Sequence, residues 1–235
     1  IYHREVFLIM KAHFIHALEE LKNQLAEIAA QAEQAVHSAV NAVENNAPDS
    51  ASQVIRCDRE IDRAEIRIEE ECLKILALYQ PVASDLRQVI TIFKVNNEIE
   101  RVGDLAVNIA ERVEDIARYQ NCDIEKLDFR DMVFKACGML KKALDSLAYH
   151  DAAMAVKVIG SDDEVDAIHR SNYGRVRNSI LKHPDEAQYY LDGLTVSRCL
   201  ERIADIATNI AEDVIYLESG RIVRHHHEGE EDYGK

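Results

Sequence analysis

The chain has no tryptophan, and its 235 residues include only three prolines and eight glycines. Proline and glycine interrupt helices and are frequent in the turns of sheet-rich folds. Their scarcity, together with many alanine, leucine, isoleucine, glutamate and arginine residues, predicts an all-α protein. The length allows one large domain or two of about 110 residues each.

Basic residues are also scarce. Lysine and arginine number 28 against 43 aspartates and glutamates, which gives a net charge of −15. A protein that binds the phosphate backbone of a nucleic acid needs an excess of positive charge, so we expect no nucleic-acid partner. The negative charge is compatible with the binding of cations.

No apolar run reaches the roughly 18 residues that a membrane span requires. The best candidate, between Val6 and Leu18, is interrupted by Lys11, His13 and His16. We therefore expect no direct membrane insertion. The start of the chain also shows no pattern of a cleavable signal peptide, which favours a cytoplasmic location.

The cysteines are odd in number and are never spaced C-x-x-C. We expect them to be reduced and mostly in the core of a cytosolic protein. The five are Cys57, Cys72, Cys122, Cys137 and Cys199.

A twelve-residue segment occurs twice, from Glu100 to Glu111 and from Glu201 to Glu212, with eight identical positions at an offset of 101. The repetition indicates an internal duplication. The hydrophobic periodicity and the breaks at Gln80-Pro81 and His183-Pro184 predict three long helices in each half. We predict helices over 11–45, 48–79, 82–119, 126–149, 151–182 and 185–219.

The predicted fold is thus two tandem, duplicated three-helix bundles. The first would cover residues 1–122 and the second 123–220. Ser219-Gly220 is a typical helix stop, with glycine in the left-handed conformation. A flexible polar tail over 221–235 would follow, and we assign no role to its His225–His227 run.

Both halves carry acidic side chains at helical spacing. A second repeat, at an offset of 104, pairs Val54–Asp62 with Val158–Asp166, with five of nine residues identical. Counted from the two proline turns, the acidic pairs of neighbouring antiparallel helices fall at equal height, so they can face each other across one helix–helix contact. The candidate metal ligands are Asp58, Asp62, Glu100, Asp104 and Asn108 in the first half, and Asp162, Asp166, Glu201, Asp205 and Asn209 in the second.

Facing carboxylates repel one another unless cations neutralise them, and hard divalent or trivalent cations take oxygen ligands. The alternative is a solvated acidic stripe that pairs with Arg59, Arg63, Arg101 and Arg112. Asp166-x-x-His169 makes His169 a candidate auxiliary ligand, although we expect a surface histidine there. Arg87 and Tyr79 flank a turn and are expected to cap or pack.

The segment Cys72–Arg87, which contains Pro-Val-Ala-x-Asp-Leu-Arg, leads into the first Glu-Arg-x-x-Asp-x-Ala-x-Asn-Ile-Ala-Glu copy. The second copy is followed by Val214–Gly220. Over about residues 14–224 the chain resembles the PhoU family of phosphate-uptake regulators. The interruption at Gly160 departs from the family pattern beside the second acidic motif.

The resemblance implies two tandem three-helix bundles whose acidic motifs hold metal clusters, with iron or zinc expected and manganese or magnesium as further candidates. It implies a cytoplasmic, homodimeric protein that is not an enzyme. Its expected role is that of an adaptor between the ATPase subunit of the high-affinity phosphate ABC transporter and the phosphate-sensing histidine kinase. In high phosphate it would act as a negative regulator of starvation genes and uptake.

Two other classes of protein remain open. A carboxylate-bridged metalloenzyme, such as a phosphatase or oxidase, would need an open coordination position and a nearby acid or base. No phosphate-binding glycine-rich loop, H-E-x-x-H or G-x-S-x-G motif supports it. The third reading is a helical scaffold that binds no metal.

Overall fold

The computed structural model describes residues 2–119 and 129–221, with side chains from residue 10 onward. These residues form eight α-helices and one 3-10 turn, Pro184–Glu186, which confirms the all-α prediction. The helices are α1 (Tyr2–Glu44), α2 (Pro48–Tyr79), α3 (Ala83–Ala110), α4 (Val113–Ala117), α5 (Arg130–Ala148), α6 (Ala152–Ile159), α7 (Asp162–Lys182) and α8 (Ala187–Ser219).

The first bundle consists of α1, α2 and α3, each of which packs against the other two. The apolar stripe of α1 that includes Leu21, Ile28 and Val36 is buried, as its three- and four-residue spacing predicts. Ile61 and Ile68 of α2 are also buried. The contact between α2 and α3 is therefore apolar on its buried side.

The second bundle repeats this arrangement around α8, which packs against α5, α6 and α7. The helix pair α6–α7 takes the place of α2, and α8 takes the place of α3. The tandem duplicated bundles are thus confirmed. The predicted boundary at 122–123, Cys122 and the tail beyond residue 221 lie outside the described residues.

Two predicted helices are each divided in two, the first unexpectedly and the second at the interruption expected at Gly160. The helix predicted over 82–119 ends at Ala110, and the short α4 follows a turn at Glu111 and Arg112. The helix predicted over 151–182 is interrupted at Gly160 and Ser161. The hydroxyl of Ser161 donates to the carbonyl of Lys157 at 2.8 Å, and such local bonds compete with the helical pattern beside a weak helix former.

Some helix ends also differ from prediction. α1 begins at Tyr2 rather than at residue 11, because residues 2–10 contain no proline or glycine that would stop the helix. α5 begins at Arg130 rather than at residue 126, and the 3-10 turn precedes α8. Gly220 is in the left-handed conformation with φ 70°, which confirms the predicted helix stop.

The two bundles pack together mainly through α3 and α8. The Nε of Arg87 donates to the carbonyl of Leu217 at 3.3 Å, and Lys94 lies 3.1 Å from the carboxylate of Asp213, whose side chain is only 6% exposed. Arg87 therefore packs, as predicted. Tyr79 also packs, edge-on against the ring of Phe14.

His150, in the turn between α5 and α6, also contributes to the contact between the bundles. Nδ1 of His150 lies 2.7 Å from the carboxylate of Glu218, and Nε2 lies 3.1 Å from the amide nitrogen of Gln88. These contacts connect the start of α3 to the end of α8, so the bundle–bundle contact is specified by polar groups as well as by apolar packing.

No helix among the described residues is both long and apolar enough to span a membrane. Three described cysteines, Cys72, Cys137 and Cys199, are buried and Cys57 is exposed, and all four are free thiols. Burial raises the pKa of both Cys72 and Cys137 to about 12, so these thiols remain protonated and unreactive.

Candidate metal centre

Four predicted carboxylates meet between α2 and α3, and we call this group the first seam: Asp58, Asp62, Glu100 and Asp104. Burial raises the pKa of Asp58 to about 6, and the neighbouring charges of Asp62 and Asp104 add to the increase. The pKa of Glu100 is raised by burial and then by Asp104, with further contributions from Asp62 and Asp58. The predicted juxtaposition of the two helices therefore holds.

The second seam lies between α7 and α8 and consists of Asp162, Asp166, Glu201 and Asp205. Burial raises the pKa of Asp162 to about 6, with Asp205 as the strongest neighbouring charge. The pKa values of Glu201 and Asp205 are raised by burial first and by acidic neighbours next, and Asp166 acts on both. The second half thus reproduces the acidic juxtaposition of the first.

Glycine at position 103 lets α2 approach α3 closely at the first seam. A β-carbon built on Gly103 would lie 2.9 Å from Oδ1 of Asp58 and 3.3 Å from Cδ1 of Ile61. The equivalent position in the second half, at the offset of 101, is the buried Ala204. Asp58 is therefore held directly against the backbone of α3.

Basic side chains leave most of the seam charge uncompensated. Among the described residues, Asp166 is the only one of the eight seam carboxylates in an ion pair, 3.1 Å from Arg170. Arg101 instead pairs with Glu98 at 3.2 Å, and Arg112 lies 3.8 Å from Asp192. The arginines proposed as partners of a solvated stripe thus bind other groups or, for Arg59 and Arg63, make no ion pair within the described ranges.

The two halves are not electrostatically equal. Arg198 and Arg202 both lower the pKa of Glu201 against the larger effects of burial and Asp205. Every neighbouring charge that acts on Glu100 in the first seam raises its pKa instead. The second seam is therefore the less negative environment.

The two predicted asparagines lie at the edge of the seams, in a cleft that both halves line. Asn108 and Asn209 are exposed, and together with Asp104 and Asp205 they line an open cleft with about 910 Å³ of empty space between α3 and α8. We call this space the shared cleft; its other lining residues are Glu98, Arg101, Leu105, Arg202 and Ile206. One carboxylate of each seam, Asp104 or Asp205, therefore lies at this common cleft.

Each seam consists of two acidic pairs, one on each helix. A further pair of residues, one from each helix, lies one helical turn away on the same face, and we call it the third pair. In the first half these are Glu65 and Asn96, and the amide nitrogen of Asn96 donates to the carbonyl of Glu65 at 2.9 Å. Burial, Glu69 and Asp62 raise the pKa of Glu65. Asn96 is fully buried, and its Oδ1 has no hydrogen-bond partner in the described structure.

The corresponding pair in the second half is His169 and Ser197. Nδ1 of His169 lies 3.0 Å from the hydroxyl of Ser197, which also accepts from the amide nitrogen of Asn172 at 3.0 Å. Burial lowers the pKa of His169, with Asp166 opposing the decrease. His169 is half-buried, with the Ser197 hydroxyl next to its ring.

These third pairs could have been found in the sequence. Adding the offset of 104 to Glu65 gives His169, and adding 101 to Asn96 gives Ser197. Extending the two repeats by one turn along each helix predicts that the four positions share the seam face. Only the position in the repeat identifies these residues, because the residue types differ between the halves.

The donor set fits cations. Carboxylate and amide oxygens are ligands of Mg²⁺ and Mn²⁺, and an imidazole suits Zn²⁺ and iron ions. Seven of the eight seam carboxylates have no ion-pair partner within the described ranges. No three His, Cys, Asp or Glu side chains of the described residues are already gathered as a coordinating group. A cation would thus require seam side chains to rotate toward it, from one staggered rotamer to another.

Fold and site define a class of protein: duplicated helical-bundle proteins with an acidic seam in each repeat. A family model described as the PhoU domain matches residues 25–113 and 129–214. The chain belongs to the PhoU family.

Two relatives are each named a phosphate-specific transport system accessory protein PhoU homolog. The relative from Pseudomonas aeruginosa is 35% identical over 88% of this chain and 86% of its own length. The relative from Aquifex aeolicus is 36% identical over 89% and 95%. A crystal structure of PhoU from Pseudomonas aeruginosa matches with a TM-score of 0.84 at 34% identity, covering 88% of this chain and all of that one.

Proposed function

We propose that this protein is an accessory protein of a phosphate-specific transport system that regulates phosphate uptake and phosphate-starvation signalling. The observation that carries the proposal is the match of a PhoU domain to each of the two bundles. The names of the relatives from Pseudomonas aeruginosa and Aquifex aeolicus assign them to such a system. The chain matches most of the length of both relatives, so the proposal concerns both bundles and not one of them alone.

The proposed mechanism is that of a non-enzymatic adaptor. The two bundles are joined mainly through α3 and α8, and we take their outward helical faces as the partner surface. We propose that this surface contacts the ATPase subunit of the phosphate ABC transporter and the phosphate-sensing histidine kinase. In high phosphate the protein would act as a negative regulator of both uptake and the starvation response.

Bound cations are the second part of the proposal. The ten predicted ligands comprise four carboxylates in each seam and the two asparagines at the shared cleft. Burial is the main cause of the raised pKa of Asp58 and Asp162, and repulsion by neighbouring carboxylates adds to it. When bound, a cation would neutralise that repulsion. We propose iron or zinc as the bound metal, with manganese or magnesium as alternatives.

Metal analysis of purified protein tests the cation proposal. All proteins compared carry alanine at His225, His226 and His227, so that the tail cannot bind metal. Replacing Asp104 and Asp205 together by asparagine should lower the metal content, because each residue belongs to one seam. Replacing the exposed Glu20 of α1 by glutamine is the control and should change nothing. Equal metal content in all three proteins would contradict the assignment.

A gene deletion in the source organism tests the regulatory proposal. Loss of the protein should derepress phosphate-starvation genes in high phosphate, and the wild-type gene should restore repression. Capture of the wild-type protein on membranes that contain the transporter and the kinase, in high and low phosphate, identifies the partners. Normal repression in the deletion strain would refute the regulatory role.

A phosphoester hydrolysis assay tests the non-enzymatic part of the proposal. We expect no turnover of a generic phosphoester with added iron, zinc or manganese. If the wild-type protein hydrolyses the phosphoester and the Asp104 and Asp205 double variant does not, the protein is a metalloenzyme and the adaptor proposal is wrong. Light scattering and cell fractionation test the proposed homodimer and its proposed cytoplasmic location.

A further inference from the structure

The repeats differ chemically one turn beyond the carboxylates. Position 65 in the first half is a glutamate, and the equivalent position 169 is a histidine. Both side chains are half-buried, and both lie within electrostatic range of the aspartate one turn before them, Asp62 or Asp166. The first seam is thus extended by an oxygen donor and the second by a nitrogen donor.

The surroundings of His169 suit a metal-binding imidazole. A histidine that binds metal through Nε2 carries its proton on Nδ1, and that N–H is donated to a second group that fixes the ring. The hydroxyl oxygen of Ser197 is the group next to Nδ1, at 3.0 Å. Nε2 has no hydrogen-bond partner among the described residues.

Ser197 is able to accept that proton. Its own hydroxyl hydrogen is directed to the sulfur of Met132 at 3.4 Å, and its oxygen accepts from Asn172 at 3.0 Å. One acceptor position on the oxygen is then left for the Nδ1–H of His169. The buried network therefore accommodates the tautomer with a free lone pair on Nε2.

We propose that His169 is a metal ligand of the second seam and that the seams select different cations. The first seam, extended by Glu65, offers oxygen donors and favours hard ions such as Mn²⁺ and Mg²⁺. The second seam offers an imidazole as well and favours Zn²⁺, which accepts nitrogen readily. This inference rests on the proposed binding of cations and goes beyond it by assigning a preference to each repeat.

The second seam is also less negative than the first, and this difference favours the same distribution of cations. Counting the third pair, the first seam has five carboxylates, whereas the second has four and a neutral ring. Arg198 and Arg202 lie near Glu201 of the second seam. Hard ions are held mainly by the negative charge of their ligands, so the second seam loses more affinity for Mn²⁺ than for Zn²⁺.

Paired titrations with Zn²⁺ and Mn²⁺ test the proposal. The full chain, with alanine at His225, His226 and His227, is freed of metal and titrated against a competing chelator. Replacing His169 by alanine should weaken Zn²⁺ binding at one site about tenfold or more, the loss typical even of residues that only orient a ligand. Mn²⁺ binding should change little.

Three further variants sharpen the test. His169→Glu copies the first seam and should retain Mn²⁺ binding while Zn²⁺ binding falls. Ser197→Ala should shift the imidazole ¹⁵N signals of His169 away from the Nδ1–H tautomer and weaken Zn²⁺ binding, because Ser197 is a positioning residue. His37→Ala, on the surface of α1, is the matched histidine control and should leave both affinities unchanged.

The possible outcomes distinguish a failure of the His169 proposal from a failure of the proposed cation binding. If the parent protein binds both ions and His169→Ala leaves the ratio of Zn²⁺ to Mn²⁺ affinity unchanged, His169 is structural and the inference is wrong. If the parent protein binds neither ion, the proposed cation binding itself fails, and the inference with it. Circular dichroism of each variant confirms that the helices are intact.

Discussion

Removing the charge of Asp58 should stabilise the metal-free protein at neutral pH. Asp58 lies in the third turn of α2, against the backbone of Gly103, and its pKa is raised from 3.8 to about 6 by burial and by Asp62 and Asp104. A raised pKa means that the folded protein resists ionisation of this group more than the unfolded chain does. Asparagine has nearly the same shape without the charge, so Asp58→Asn relieves this cost.

The size of the effect follows from the shift. A rise in pKa from 3.8 to about 6 would correspond to about 3 kcal/mol if solvent screened none of it. Asp58 is only partly buried, and screening of partly exposed charges reduces such energies severalfold. We therefore expect Asp58→Asn to raise the free energy of unfolding by about 1 kcal/mol at pH 7.5.

The pH dependence gives the effect its sign. Below pH 3.8 the carboxyl is protonated in both states and contributes nothing. Between pH 3.8 and about 6 the folded protein binds more protons than the unfolded chain, so the wild-type protein loses stability as the pH rises. The advantage of Asp58→Asn should therefore appear over this window and be complete above it.

Urea unfolding in the presence of a chelator, followed by circular dichroism from pH 4 to 7.5, measures this advantage. Glu60→Gln is the matched control, because Glu60 is exposed on the same helix and points away from the seam. An equal gain in both variants, or a gain of Asp58→Asn that is independent of pH, would refute the reasoning. Added metal should reverse the order of stability, since it binds the folded wild-type protein more tightly.

Three other variants test neighbouring parts of the structure. Asp162→Asn should stabilise the metal-free protein less than Asp58→Asn in the same urea assay, because Asp162 lies in the first turn of α7, where the helix dipole favours a negative charge by about 0.3–1 kcal/mol. Gly103→Ala should weaken metal binding at the first seam and spare the second, as a metal titration would show, because its β-carbon displaces Asp58. Lys94→Met should cost about 2 kcal/mol in urea unfolding, because it removes a charge partner of the buried carboxylate of Asp213; no loss would mean that this ion pair contributes little.

Much of the fold follows from local signals in the sequence. The hydrophobic period and the proline turns specify six long helical segments, and helix geometry alone brings Asp58 to the height of Asp104. The break at Glu111 was not predicted, whereas the interruption at Gly160 was expected and is confirmed. Gly160 and Ser161 carry a signal for a break, whereas Glu111 and Arg112 carry none that periodicity can detect.

The contact between the bundles could not be predicted in the same way. Hydrophobic periodicity identifies which face of α3 and α8 is buried, but it does not say which other helix covers that face. The docking depends on pairs such as Lys94 with Asp213, which are far apart in the sequence and have no repeated counterpart that marks them. The shared cleft, and the position of Asn108 and Asn209 on it, follow from that docking.

The same contact explains why Asp104 and Asp205 differ from the other seam carboxylates. Each belongs to a seam through its own bundle, and each also lines the shared cleft through the packing of α3 on α8. The cleft contains Arg101 and Arg202 as well, so its charge is more balanced than that of either seam. If a cation binds as proposed, it would therefore be held more strongly in the seams than in the cleft. A partner that displaced either aspartate at the cleft surface would at the same time weaken the seam behind it, so partner binding and metal binding would be linked through these two side chains.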